Sequence, residues 1–192
     1  MYGLILASCS PRRCELLQRT GISFETDAPD VDENCDLPAQ EAVSVLSRRK
    51  ASAAAEKHPG SFILAADTLV SLDGHSLGKP VDSEDAVRML HLLSGKTHHV
   101  YTGVTVISPD GGIFTDYDKT DVTFAQLSDE EIQYYVHSGE PMDKAGAYAI
   151  QGRAGLWITR IEGSDTSVIG LPLWIVRNLL TRAGFPLLQE IR

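Results

Sequence analysis

Hydrophobic and polar positions divide this chain into short apolar runs and longer mixed-polarity stretches. The runs at residues 3–7, 23–27, 62–66, 100–107, 113–124 and 156–160 read as strands. Residues 11–19, 40–57, 84–93, 129–138 and 172–182 read as helices. Ser128 and Glu131 spell a capping box for the fourth helix, Ser83 is placed to cap the third, and Gly184 follows the last. Ser108-Pro109-Asp110-Gly111-Gly112 reads as a hairpin turn between two long strands. Strand and helix alternate in the first half, as in a βαβ unit, and the middle adds an antiparallel hairpin. That pattern predicts a mixed α/β sheet with a cleft between two lobes. No repeat, low-complexity tract or long linker interrupts it, so residues 1–192 read as a single domain.

Composition narrows the partners. The formal net charge of −9 argues against binding a nucleic-acid polymer or a membrane surface. An anionic substrate would need a local basic cluster, a divalent cation, or both. The three cysteines, Cys9, Cys14 and Cys35, form no C-x-x-C pair, which fits reduced thiols and a cytoplasmic location. Cys and His lack zinc-ligand spacing. No charged segment precedes the first apolar run, so a signal peptide is not expected. The run from 62 to 70 is too short to span a bilayer and is broken by Asp67.

Five groups of residues carry candidate chemistry. At Ser8-Cys9-Ser10-Pro11-Arg12-Arg13 an apolar strand turns into a helix. Ser10 suits the N-cap and Pro11 the first helical position. Such a helix start presents free N–H groups and a positive dipole end to an anion, and two arginines add phosphate-shaped donors. A plain capped surface helix explains the same residues. Asp67 interrupts an apolar stretch, which suits a metal ligand, a general base at a strand end, or a structural Asp capping the turn. Asp27, Asp30, Asp32, Glu33 and Asp36 form an acidic loop, either solvated or able to hold Mg²⁺ through one or two carboxylates. Lys50 lies on a helix, Lys79 in the Gly78-Lys79-Pro80 turn and Lys144 in Asp143-Lys144-Ala145-Gly146. A lysine held in a turn can aim a point charge at a phosphate. In the small-residue stretch from 145 to 152, Gln151 can read a base edge through its amide, or the stretch simply packs tightly. Walker A, G-x-G-x-x-G, G-x-S-x-G, H-E-x-x-H and EF-hand patterns are absent. His98 and His99, at a strand start, read as structural.

In order along the chain, these blocks resemble the Maf family of nucleoside triphosphate pyrophosphatases. The resemblance runs from about residue 3 to 185 through Leu6-Ala7-Ser8-Cys9-Ser10-Pro11-Arg12-Arg13, Val31-Asp32-Glu33, Ala66-Asp67-Thr68 with Gly78-Lys79-Pro80, and Asp143-Lys144-Ala145-Gly146-Ala147-Tyr148. Leu93-Ser94-Gly95-Lys96-Thr97-His98 and Val168-Ile169-Gly170-Leu171-Pro172 also match. It implies the Maf α/β fold, related to the inosine triphosphatase-like fold. It implies cleavage of a nucleoside triphosphate between the α- and β-phosphates with a divalent cation, Mg²⁺ or Mn²⁺. Asp67 would accept the proton from water and share the metal with Glu33. Ser8, Arg13, Lys50 and Lys79 would bind phosphates, and Ser10 would also contact the substrate. At Arg12, Thr68 and Gln151 the chain resembles the branch acting on dTTP, UTP and modified pyrimidine nucleotides. A second branch, directed at 7-methyl-GTP, carries an aromatic residue, Gln and Glu there. Ala66 and Ala149 each replace a glycine frequent in the family and add a methyl. The family often forms homodimers and is linked to septum formation, so a nucleotide-binding regulator of cell division is the alternative of a different class.

Overall fold

In chain order the elements are β1 (Leu4–Ala7), α1 (Pro11–Gln18), β2 (Glu25–Asp27), α2 (Ala39–Lys57), β3 (Phe62–Leu72), β4 (His75–Leu77) and α3 (Ser83–Leu93). There follow β5 (Thr97–Ile107), β6 (Ile113–Phe124), α4 (Asp129–His137), β7 (Ile158–Glu162), α5 (Asp165–Ile169), α6 (Leu173–Arg182) and α7 (Leu187–Glu190). The structure, a computed structural model, describes residues 3–190. The described strands form one mixed sheet in the order β2-β1-β3-β5-β6-β7, with β4 added on β3. β1 runs parallel to β2 and β3, and the remaining pairs are antiparallel.

The long strand β3 organises the molecule. β5 lines one of its edges from Ile63 to Ser71. The other edge is shared: β1 pairs with Phe62, Ile63 and Leu64, and β4 pairs with Val70, Ser71 and Leu72. Residues 65–69 lie in the gap between those partners, and Asp67 is at its centre. Strand alternation then decides which way each side chain faces. Phe62, Leu64 and Ala66 pack with Leu16, Leu17, Ile175 and Leu179 of α1 and α6. Val70 and Leu72, of the same parity, join Leu90, Leu93, Ile132 and Tyr135 of α3 and α4. Ile63 and Ala65 face the other way, onto Ala51 and Ala54 of α2. Parity therefore turns Asp67 toward α2, and Thr68 toward α1.

The sheet admits α2 closely at one point. Gly103 of β5 pairs in register with Asp67. A Cβ on Gly103 would collide with the Val43 carbonyl and lie 2.9 Å from the Ser44 nitrogen. Beside it, Ser47 of α2 and Thr105 of β5 share a buried hydroxyl–hydroxyl hydrogen bond of 2.9 Å. This close seat brings Lys50, further along α2, over Asp67.

Several sequence expectations need correction. The strand expected to stop at residue 66 continues to Leu72, because β5 pairs with its whole length and Lys50 meets the charge of Asp67. Asp67 therefore sits within a strand and caps no turn. The unexpected β4 returns through Asp73 and Gly74, both at positive φ (51° and 81°), the backbone of a tight hairpin. Asp82, not Ser83, caps α3, its carboxylate accepting the Asp85 N–H at 2.8 Å. Ser10 stands at the N-cap position of α1 but makes no side-chain cap bond. Its own N–H donates instead to Ser8 Oγ at 3.2 Å. β7 begins at Ile158, after a 3₁₀ turn over Arg153–Leu156. The capping box of α4 forms as expected from Ser128 and Glu131.

Candidate active site

The gap along β3 opens into a cleft of about 630 Å³. Ser8, Ser10, Arg12, Arg13, Glu33, Lys50, Asp67, Thr68, Lys79 and Gln151 all line it. Segments far apart in sequence thus converge where β1 and β4 leave β3 uncovered. Ligands gather at strand ends and switch points in open α/β sheets for the same topological reason.

One wall is an ion cluster. Lys50 Nζ lies 2.5 Å from Asp67 Oδ1 and 2.7 Å from Glu33 Oε1. The Lys50 and Asp67 side chains are only 13% and 11% exposed, whereas Glu33 is 59% exposed at the rim. The hydrogen bond from Lys50 holds the Glu33 carboxyl below its ordinary range, against the opposing effect of partial burial. Arg49, exposed on α2, aims Glu33 by donating to the carbonyls on either side of it, Asp32 at 3.0 Å and Asn34 at 2.9 Å. Of the acidic loop, Glu33 alone among the five carboxylates lines the cleft. Asp27 turns away to His58 and Lys57, and Asp32 accepts the Asn34 N–H.

The opposite wall is built on Arg13. Its Nε donates to the Gly170 carbonyl at 2.8 Å, Nη1 to Ser8 Oγ at 3.4 Å and Nη2 to Thr68 Oγ1 at 3.2 Å. Thr102 Oγ1 donates to the Ser167 carbonyl at 2.8 Å, so it accepts from Thr68 Oγ1 at 3.0 Å. A hydroxyl has one proton, so the order Arg13 to Thr68 to Thr102 to Ser167 is fixed. Burial lowers the Arg13 pKa and nearby Asp67 opposes it, but a guanidinium stays charged at neutral pH. Arg12 Nη1 reaches Asp143 at 3.4 Å across the cleft mouth, and Lys144 also pairs with Asp143. Gly146 N–H donates to the Gly78 carbonyl at 3.0 Å, tying the Lys79 turn to the segment that leads to Gln151.

Sequence reasoning missed several participants. Arg49 looks like an ordinary surface cation, and only its two carbonyl bonds reveal its task. Gly170, within a quoted motif, supplies a carbonyl to Arg13. Tyr148 lines the cleft, and its hydroxyl meets buried His98 Nε2 at 2.7 Å.

Fold and site together define an α/β protein with a cleft lined by charged side chains on a mixed sheet. The fold resembles that of a HAM1 protein from Coxiella burnetii, with a TM-score of 0.52, 17% identity and coverage of 95% of this chain and 100% of the other. The chain belongs to the Maf family: the Maf-like protein family matches residues 3–183. It is 50% identical to a dTTP/UTP pyrophosphatase of Symbiobacterium thermophilum over 97% of each chain. It is also 50% identical to a dTTP/UTP pyrophosphatase of Myxococcus xanthus, over 96% of this chain and 94% of that one.

Proposed function

We propose that this protein hydrolyses dTTP, UTP and related or modified pyrimidine nucleoside triphosphates to the monophosphate and pyrophosphate, a housecleaning activity. One observation carries the reading. Cations, a buried carboxylate and an exposed amide from distant segments meet in a single cleft, in a chain half identical to proteins named for that activity.

The phosphate tail is assigned to the Arg13 wall. Ser8, Ser10, Arg13 and Lys79 provide donors and positive charge, and α1 points its start into the same space. Phosphoryl transfer depends on positioning and on neutralising charge on the departing group, here pyrophosphate. Lys50 has three N–H donors. Two meet Glu33 and Asp67, which leaves one for a phosphate oxygen. Asp67 is assigned as proton acceptor for the attacking water, and Gln151 with Arg12 as readers of the nucleoside end. Thr68 orients Arg13 through its hydroxyl.

The donor set fits a hard divalent cation. Glu33 and Asp67 converge on Lys50 Nζ and each carries a second carboxylate oxygen, while no group of three or more His, Cys, Asp or Glu ligands gathers among the described residues. Mg²⁺ is commonly held this way, by one or two carboxylates and completed by substrate phosphates. Such a cation supplies charge neutralisation and makes a bound water easier to deprotonate. The three free thiols fit a cytoplasmic location. No helix among the described residues is long and apolar enough to cross a membrane.

A substrate panel of dTTP, UTP, CTP, dGTP and 7-methyl-GTP tests the reading. dTTP and UTP should give the highest kcat/KM. A clear preference for 7-methyl-GTP would overturn the pyrimidine assignment.

A further inference from the structure

We infer that Glu140 and Tyr135 are positioning residues for base recognition, holding both ends of the turn that presents Gln151 to the cleft. The inference rests on the proposed role of Gln151 as the base reader.

The turn is local and exposed. Gly152 N–H donates to the Ala149 carbonyl at 3.1 Å, with Ile150 and Gln151 at the tip. Gln151 is exposed and lines the cleft, so side-chain packing does not fix it. Its backbone is fixed from behind. Ala149 N–H donates to Tyr135 Oη at 3.1 Å, and that hydroxyl donates to Glu140 Oε1 at 2.9 Å. Arg153 N–H donates to both oxygens of the same carboxylate, at 3.1 and 3.3 Å. One phenol–carboxylate pair thus ties the chain on both sides of Gln151. Gly152 fits this arrangement, since a Cβ there would fall on the Glu140 carboxylate.

The pair suits a fixed support. Tyr135 is buried at the end of α4, its ring 5.5 Å from that of Trp157. Burial pushes its phenol above the usual range, so the hydroxyl stays protonated, donating to Glu140 and accepting from Ala149. Neither Tyr135 nor Glu140 lines the cleft. They act on substrate only through neighbouring segments, of which the Gln151 turn takes their direct hydrogen bonds.

Steady-state kinetics of Glu140→Ala and Tyr135→Phe, with Gln151→Ala in parallel, tests this. Tyr135→Phe keeps the ring and deletes only the hydroxyl. Both positioning variants are expected to raise KM for dTTP and UTP about tenfold or more, the scale of losing hydrogen bonds to a charged group. Their kcat stays within about twofold, their preference for dTTP over dGTP narrows, and competitive inhibition by pyrophosphate is unchanged. Glu140→Gln, which keeps an acceptor for Tyr135, restores most of the loss. Unchanged KM and preference, with Gln151→Ala impaired, would overturn the positioning role alone. Equal losses in kcat, pyrophosphate binding and melting temperature would mark Glu140 as a general structural support and also overturn it. An unimpaired Gln151→Ala would remove the base-reading assignment and this inference with it.

Discussion

Lys50 Nζ lies 2.5 Å from Asp67 Oδ1, joining the long helix α2 to the stretch of β3 between its partners β1 and β4, at the floor of the cleft. The buried Asp67 carboxylate is paired with this ammonium, and the mostly buried Lys50 is shared with Glu33. A buried charge without such partners would be costly.

Asp67→Asn tests the proton acceptor. The substitution keeps size and shape but removes the basic oxygen. Turnover of dTTP should fall by about 100- to 10,000-fold, the usual contribution of a general base. Binding of dTTP with Mg²⁺, measured by calorimetry, should stay within a few-fold. Near-normal turnover would remove Asp67 from that role.

Arg49→Ala tests how Glu33 is aimed. Losing the two carbonyl bonds frees the acidic loop. The Mg²⁺ concentration for half-maximal activity should rise about tenfold, the scale seen when groups behind a metal ligand are removed. Because Arg49 is exposed, the melting temperature should hold.

Gly103→Ala tests the seat of α2. The added methyl meets backbone atoms of Val43 and Ser44, which cannot swing aside as a side chain could. Such overpacking should cost about 1–3 kcal/mol. Urea denaturation reads the loss, and kcat/KM should drop with it as Lys50 is displaced from Asp67.

His98 gives a pH dependence of stability. It is fully buried, and burial lowers its pKa from 6.5 to about 4. The unfolded chain therefore binds the extra proton first as pH falls from 6.5 toward 4, so this group's contribution is complete above 6.5 and is lost through that window. Neighbouring His99 also lowers the value and Asp121 opposes the shift. The linkage is worth up to about 3 kcal/mol. His98→Phe should flatten the fall in stability over that range. An unchanged slope would contradict the assignment.

Much of this was legible in the sequence, for identifiable reasons. Asp67 stood out because a carboxylate breaks an apolar run, and Arg12 and Arg13 because they follow a strand-to-helix turn. The β6 strand and the capping box at Ser128 depend on local pattern, and both formed as expected. The length of β3 did not show, since pairing with β5 and an ion pair from α2 override the polar step at Asp67. Arg49, Gly170 and the Tyr135–Glu140 pair act through backbone groups, which no side-chain pattern marks.

The most direct test of the central claim is the identity of the products. Incubated with dTTP and Mg²⁺ or Mn²⁺, the protein should release dTMP and pyrophosphate in equal amounts, with no dTDP intermediate. Release of dTDP and orthophosphate would contradict it.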